Sequence, residues 1–264
     1  MRALAAILLM ASLHPSSDHT RDVEAWRARR MASLKADDGW LTVAGLHWLT
    51  PGWNRFAELP AGMEWELSGK RVTLRQNGVE RELKSDNPGP ADLAAAGNLT
   101  LFVIERGGKY GIRVRDTQSP YREKFHGIEN YPVDAKWKVA ARWLAYETPR
   151  RRTLPTVIEG VNEEYEAPGE AEFTLAGRTL RLEPVLSEGR LFFIFRDLTT
   201  GRTTYPAGRF LYSDLAQDGV VTLDFNQAYN PPCAFTPYAT CPLPLPQNRL
   251  SIAVEAGEKT YHME

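Results

Sequence analysis

The stretch Tyr110-Gly111-Ile112-Arg113-Val114-Arg115-Asp116 alternates in polarity. Successive side chains of a strand point to opposite faces, so Tyr110, Ile112 and Val114 share one face and Gly111, Arg113 and Arg115 the other. Two guanidinium groups side by side form a planar set of donors suited to a carboxylate or a phosphate. Ser119, Arg122 and Phe125 follow closely. The competing reading of the same residues is a solvated face with an ion pair to Asp116.

A second cluster runs from Phe195 to Leu211 and contains Asp197, a Thr199-Thr200-Gly201 turn, Tyr205 and Arg209. These groups are placed either to contact a ligand or to hold two strands together through loop carbonyls. The cluster leads into Asp224–Pro246, which holds both cysteines and six of the 18 prolines. Proline removes backbone donors, so this segment is neither a helix nor a central strand. It reads as a stiff, irregular loop, the kind of segment that often carries a site. Asp224, Asn226, Gln227, Tyr229, Asn230 and Tyr238 supply its hydrogen-bonding groups.

These residues suggest three chemistries. Non-covalent binding of a small anionic or polyhydroxylated molecule would use Arg113, Arg122, Tyr205, Asn226, Tyr229, Asn230 and Tyr238. A hydrolase or lyase would use Asp116 or Asp224 as base, with Arg209 stabilising developing negative charge. A structural or interaction module would use the polar loop only to satisfy its own backbone. Cys233 and Cys241 lie eight apart, and in an exported protein a disulfide is their first reading. Closing so short a loop would stabilise the fold by about 2.5 kcal/mol. Buried thiols are the next reading, followed by catalysis or metal binding. No metal site and no cofactor is expected, because the five histidines are scattered. His47, among tryptophans, reads as a packed residue. The sequence contains no Gly-x-Ser-x-Gly elbow, Walker loop, dinucleotide Gly-x-Gly-x-x-Gly or His-Glu-x-x-His.

The elements that must position these groups are mostly strands. Thr20 to Asp38 reads as a helix, with Val23, Trp26, Arg30 and Leu34 at three- and four-residue steps and Gly39 at its end. The apolar, Trp-rich run Gly39–Leu49 is expected to plug a sheet end or barrel mouth. Short alternating runs at Met63–Ser68, Arg71–Arg75 and Val79–Leu83 predict strands, the last two joined by an Asn-Gly hairpin. Asp86–Gly97 reads as a loop, and Leu99–Glu105 pairs with Tyr110–Arg115. Further strands are expected at Lys138–Tyr146, Thr153–Gly160, Ala171–Leu175, Thr179–Val185, Leu191–Arg196, Val220–Phe225 and Leu250–Glu255. Even turn spacing, with no βαβ alternation, predicts an antiparallel sandwich or open barrel.

The chain has 264 residues and a formal net charge of −1, so no global field attracts nucleic acid. Arg2 followed by the apolar run Ala3–Leu13 reads as a secretory leader over residues 1–18, too short to span a bilayer. An extracytoplasmic protein with no integral membrane segment in its mature chain is expected, cytoplasmic if the leader is not functional.

A family resemblance covers nearly the whole mature chain. Gly39-Trp40-Leu41 with Gly45-Leu46-x-Trp48-Leu49, Gly111-Ile112-Arg113-x-x-Asp116, Phe125-x-Gly127 and Tyr131-Pro132 carry it first. The block from Asp224-Phe225-Asn226 through Asn230-Pro231-Pro232-Cys233 to Thr240-Cys241-Pro242 is its most specific part. Asn248-Arg249-Leu250 and Ala256-Gly257-Glu258-Lys259 complete it. Together they resemble the DUF1684 family of bacterial and archaeal proteins, whose activity is unknown. The resemblance transfers no catalytic residues. It also implies relatives without leaders, in which the two cysteines need not be an export-linked disulfide.

The expected architecture is therefore mostly β: an N-terminal helix and plug (19–54), a smaller β unit (55–132), and a larger sandwich or barrel (133–264) carrying the loop 224–246. That loop is expected to meet Arg113, Asp116, Arg122, Tyr205 and Arg209 over a sheet end.

Overall fold

A computed structural model of the protein describes residues 17–262. The expected leader falls almost wholly outside them. The long helix α1 spans Ser17–Lys35, starting earlier and ending sooner than its spacing predicts. Its apolar row works as expected, since Val23 and Leu34 are buried. Gly39 lies where a Cβ would come within 2.3 Å of the Ser33 carbonyl, so only glycine lets the chain turn there. The helix is also held by polar contacts. Arg27 donates to the Tyr131 carbonyl at 2.8 Å and Arg30 to that of Asn230 at 2.9 Å, and His19 lies 2.7 Å from the Asp224 carboxylate.

Two antiparallel sheets follow. The first contains β1 (Val43–Trp48), β6 (Leu93–Ala96), β7 (Leu99–Arg106) and β8 (Lys109–Asp116), in the order β1-β8-β7-β6. The second is a meander of β2 (Gly52–Asn54), β3 (Met63–Ser68), β4 (Arg71–Gln76) and β5 (Val79–Leu83). Leu101, Val103, Ile112 and Val114 on one face of the first pack with Trp65, Val72, Leu74 and Leu83 of the second. The Trp-rich run is thus an edge strand beside β8 rather than a free plug, entered through a tight turn at Trp40–Thr42. The predicted loop Asp86–Gly97 also contributes a strand, because Leu93 and Ala94 face Phe102 and Leu101 across the pair.

After a short helix α2 (Pro120–Glu123), the remaining strands are β9 (Lys138–Pro155), β10 (Asn162–Leu175), β11 (Arg178–Leu182), β12 (Val185–Ser187), β13 (Arg190–Phe195), β14 (Arg209–Ser213) and β15 (Val220–Asp224). They form sheets ordered β11-β10-β9-β15 and β12-β13-β14. The two strands predicted at Lys138–Tyr146 and Thr153–Gly160 are one, β9, because β10 pairs along both. β13 is buried on both faces: Leu191, Phe193 and Phe195 enter one core cluster, and Phe192 and Ile194 another. The fold is mostly β and antiparallel, with a single long helix among the described residues, as turn spacing predicts. None of its described helices is long and apolar enough to cross a membrane.

The strand expected at Leu250–Glu255 does not form. The carbonyls of Val254 and Ala256 accept from the Arg209 guanidinium instead of from a neighbouring strand.

Candidate functional site

Arg113 and Arg115 do share one face of β8, the face turned away from the core with Trp65. In register across the sheet, Leu93 of β6, Phe102 of β7, Arg113 of β8 and Leu46 of β1 form one row. Trp40, from the turn before β1, covers this face. The result is a cleft of about 370 Å³ lined by Trp40, Val43, Asp86, Leu93, Phe102, Arg113 and Arg115, with Pro90 and Ala91 at its edge. That volume suits a small molecule.

The electrostatics of the cleft are one-sided. Arg113 is only 3% exposed, yet no carboxylate lies within ion-pair reach of it among the described residues. Its Nη2 donates to Thr240 Oγ1 at 3.4 Å, and its guanidinium lies 5.2 Å from the Trp40 ring centre. Its Nε is buried with no partner, as is that of Arg115. Arg115 rests on the Phe102 ring at 4.7 Å. Asp86 is the one acid in the lining, and Arg106 binds both its oxygens at 2.8 and 2.7 Å. Burial, with repulsion from Arg106 and Arg115 outweighing the attraction of Asp86 and Cys241, pushes the Arg113 pKa down to about 10, so the group is still charged at neutral pH. An unpaired buried charge is costly unless something compensates it.

The other expected site residues are elsewhere. Arg209 is 1% exposed, and its guanidinium is held by Asp197 at 2.8 Å and by the Val254 and Ala256 carbonyls. Asp224 accepts from Asn226 N and Nδ2 at 3.1 and 2.8 Å and faces His19. Asn226 also exchanges both its amide groups with the backbone of Asp134, at 3.0 Å each. Asn230 donates to the Glu258 carboxylate and the Lys259 carbonyl, both at 2.7 Å, and its Oδ1 is buried without a partner. Tyr229 packs under Arg30 and against Trp26. Tyr205 donates to the Cys233 carbonyl at 2.8 Å. The Tyr238 amide donates to Thr236 Oγ1 at 3.3 Å. Asp116 takes Asn98 and Gln118, and Arg122 pairs with Asp37 at 2.8 Å and the Thr117 carbonyl. The loop 224–246 therefore meets Arg113 through Thr240 and meets Tyr205, while Asp116 and Arg122 bond elsewhere. His47 packs on Phe56 with ring centres 4.8 Å apart, and burial lowers its pKa.

Cys233 and Cys241 are free thiols, so the expected disulfide is not formed. They are neighbours nonetheless: the Cys233 amide donates to Cys241 Sγ at 3.1 Å. The hydrogen bond from Cys241 holds the Cys233 thiol below its ordinary range, while burial pushes Cys241 well above it.

Glu258 was not anticipated as a site residue. It is 1% exposed and lines a groove of about 670 Å³ with Arg27, Arg30, His126 and Asn130. Burial raises its pKa despite Arg30. Both its oxygens are taken, one by Arg30 Nε at 3.2 Å and one by the Asn230 amide at 2.7 Å, which makes it a brace for α1 and the loop rather than a free acid. Gly257, at φ 74° and with a Cβ position 2.2 Å from the Ala228 carbonyl, sets that approach.

Sequence reasoning also missed Trp40, Phe102, Leu93 and Thr240. One signal was available for Phe102. The hairpin turn pairs Arg106 with Lys109, and counting back from it places Phe102 opposite Arg113. Thr240 and Trp40 arrive from distant segments, and no spacing reveals them.

Comparison with known proteins agrees with the resemblance but is narrower. A family profile described as "Protein of unknown function (DUF1684)" matches residues 123–259. The cleft residues from Trp40 to Arg115 lie outside that match. The solution NMR structure of an uncharacterized protein from Haloarcula marismortui is 34% identical, over 53% of this chain and 79% of that one, with a TM-score of 0.45. No curated protein matches the chain.

Proposed function

The chain belongs to the DUF1684 family, and we propose that it binds a small organic anion, without covalent chemistry, in the cleft of Arg113 and Arg115. One observation carries this reading: a buried guanidinium with no carboxylate in ion-pair reach among the described residues sits beside a second guanidinium on the same strand face. A carboxylate or phosphate entering the cleft would supply the missing acceptors, and the charge-assisted bonds it forms are the strong kind. The hydrolase reading has less support, because Asp116, Asp224 and Arg209 each bond to different partners.

Thermal denaturation in the presence of carboxylates and phosphates tests the proposal. A ligand at 100 times its dissociation constant adds about 2.7 kcal/mol to stability, and Arg113→Met should erase that gain while still folding. Equal shifts in wild type and variant, or no shift with any anion, would sink it. Export is part of the same proposal, resting on Arg2 and the apolar run Ala3–Leu13. Its check is the mass and cell fraction of the expressed protein, and an intact N-terminus in the cytoplasm would refute it.

A further inference from the structure

We infer that the anion is amphiphilic: a carboxylate head on Arg113 and Arg115 with an apolar body lying along Phe102 toward Leu93. This rests on the anion-binding reading above and narrows it to a ligand class. Three observations point the same way.

The first is the shortage of polar partners. Apart from the arginines, the only charged group in the lining is Asp86, and Arg106 occupies both its oxygens. Guanidinium groups donate and cannot accept. A polyhydroxylated ligand needs acceptors as well as donors, and the one side-chain acceptor in the lining, Asp86, is already engaged by Arg106. A phosphate would gain from a cradle of backbone amides or a lysine, and the lining residues include no glycine, serine or lysine. A carboxylate needs only the fork that is present.

The second is the wall. Trp40, Val43, Phe102, Pro90, Ala91 and Leu93, six of the nine lining residues, are apolar. The third is Leu93 itself, which remains 56% exposed at the mouth of the cleft. It stands in the same cross-strand row as Phe102 and Arg113. Two strand spacings separate β8 from β6, about 10 Å. That is close to the extended length of octanoate, so a head on Arg113 would lay its chain across Phe102 and end it on Leu93.

Calorimetric titration of the full chain with octanoate, acetate, octanol, gluconate and inorganic phosphate tests this. Each buried methylene should tighten binding roughly fourfold, so octanoate should bind at least about a hundredfold more tightly than acetate. Leu93→Ser should weaken octanoate several-fold and leave acetate unchanged. Arg113→Met, checked for folding by circular dichroism, should abolish binding of both. Phosphate or gluconate binding through Arg113 with octanoate silent would overturn the ligand class and leave anion binding standing. Octanol binding as tightly as octanoate, or octanoate binding that ignores Arg113→Met, would overturn the inference. Silence with every anion would remove both readings together.

Discussion

Arg113 and Arg209 are equally hidden, 3% and 1% exposed, yet their surroundings are opposite. Arg209 meets a buried carboxylate and two carbonyls that lack strand partners, and it closes the C-terminal segment onto β14. Arg113 meets one distant hydroxyl, an aromatic face and two repelling arginines, with Asp86 attracting it only from beyond ion-pair distance. A buried cation with a full set of acceptors is a fastening. One without a carboxylate in ion-pair reach, at the wall of a cleft, is the basis of the anion-binding proposal. Burial alone therefore does not separate the two arginines; the state of their partner atoms does.

The largest expected effect tests the fastening. Arg209→Ala should cost about 3–5 kcal/mol, because it strands Asp197 as an unpaired buried charge. Urea denaturation measures it, and a loss under 1 kcal/mol would remove the distinction between the two arginines. The opposite sign is expected at the cleft. Without ligand, Arg113→Met should leave stability unchanged or raise it by about 1 kcal/mol, since it removes a buried charge that has no direct ion-pair partner. A large destabilisation there would make Arg113 a second fastening.

Glu258 lies between these extremes, buried but paired to Arg30, and it makes a pH prediction. Its folded pKa is above the ordinary 4.5, so between 4.5 and that higher value the folded state holds more protons than the unfolded chain. Its contribution to stability therefore falls as pH rises through that window, and Glu258→Gln should flatten the slope. An unchanged slope in denaturation midpoints across that range would contradict it. Smaller still, Tyr205→Phe removes one hydrogen bond to the loop and should cost about 1 kcal/mol. Arg122→Ala, whose partner Asp37 is largely exposed, should stay within about 0.5 kcal/mol by the same measurement.

Much of this was legible from local pattern. Strands such as Met63–Ser68 and Val79–Leu83 follow directly from alternation and turn residues, because the rule for a hairpin is contained within its own few residues. The pairing of Arg113 and Arg115 on one face follows from the same period. What alternation could not reveal was the fate of polar groups in irregular segments. Asn226 and Asn230 look like ligand contacts in the sequence, and the structure engages them with Asp134, Glu258 and Lys259. Those partners lie 28 to 92 residues away.

By itself, then, the sequence determined the β class, the hairpins, the irregularity of the proline-rich loop and the face on which the two arginines stand. Each depends on steric and periodic rules that act over a few residues. Only the tertiary structure decided that Arg209 is paired directly with a carboxylate and Arg113 is not. Compensation depends on atoms brought by Asp197, Val254, Ala256, Trp40 and Thr240, which meet only when the sheets pack. The value of a buried charge is set by those neighbours, and local sequence carries no record of them.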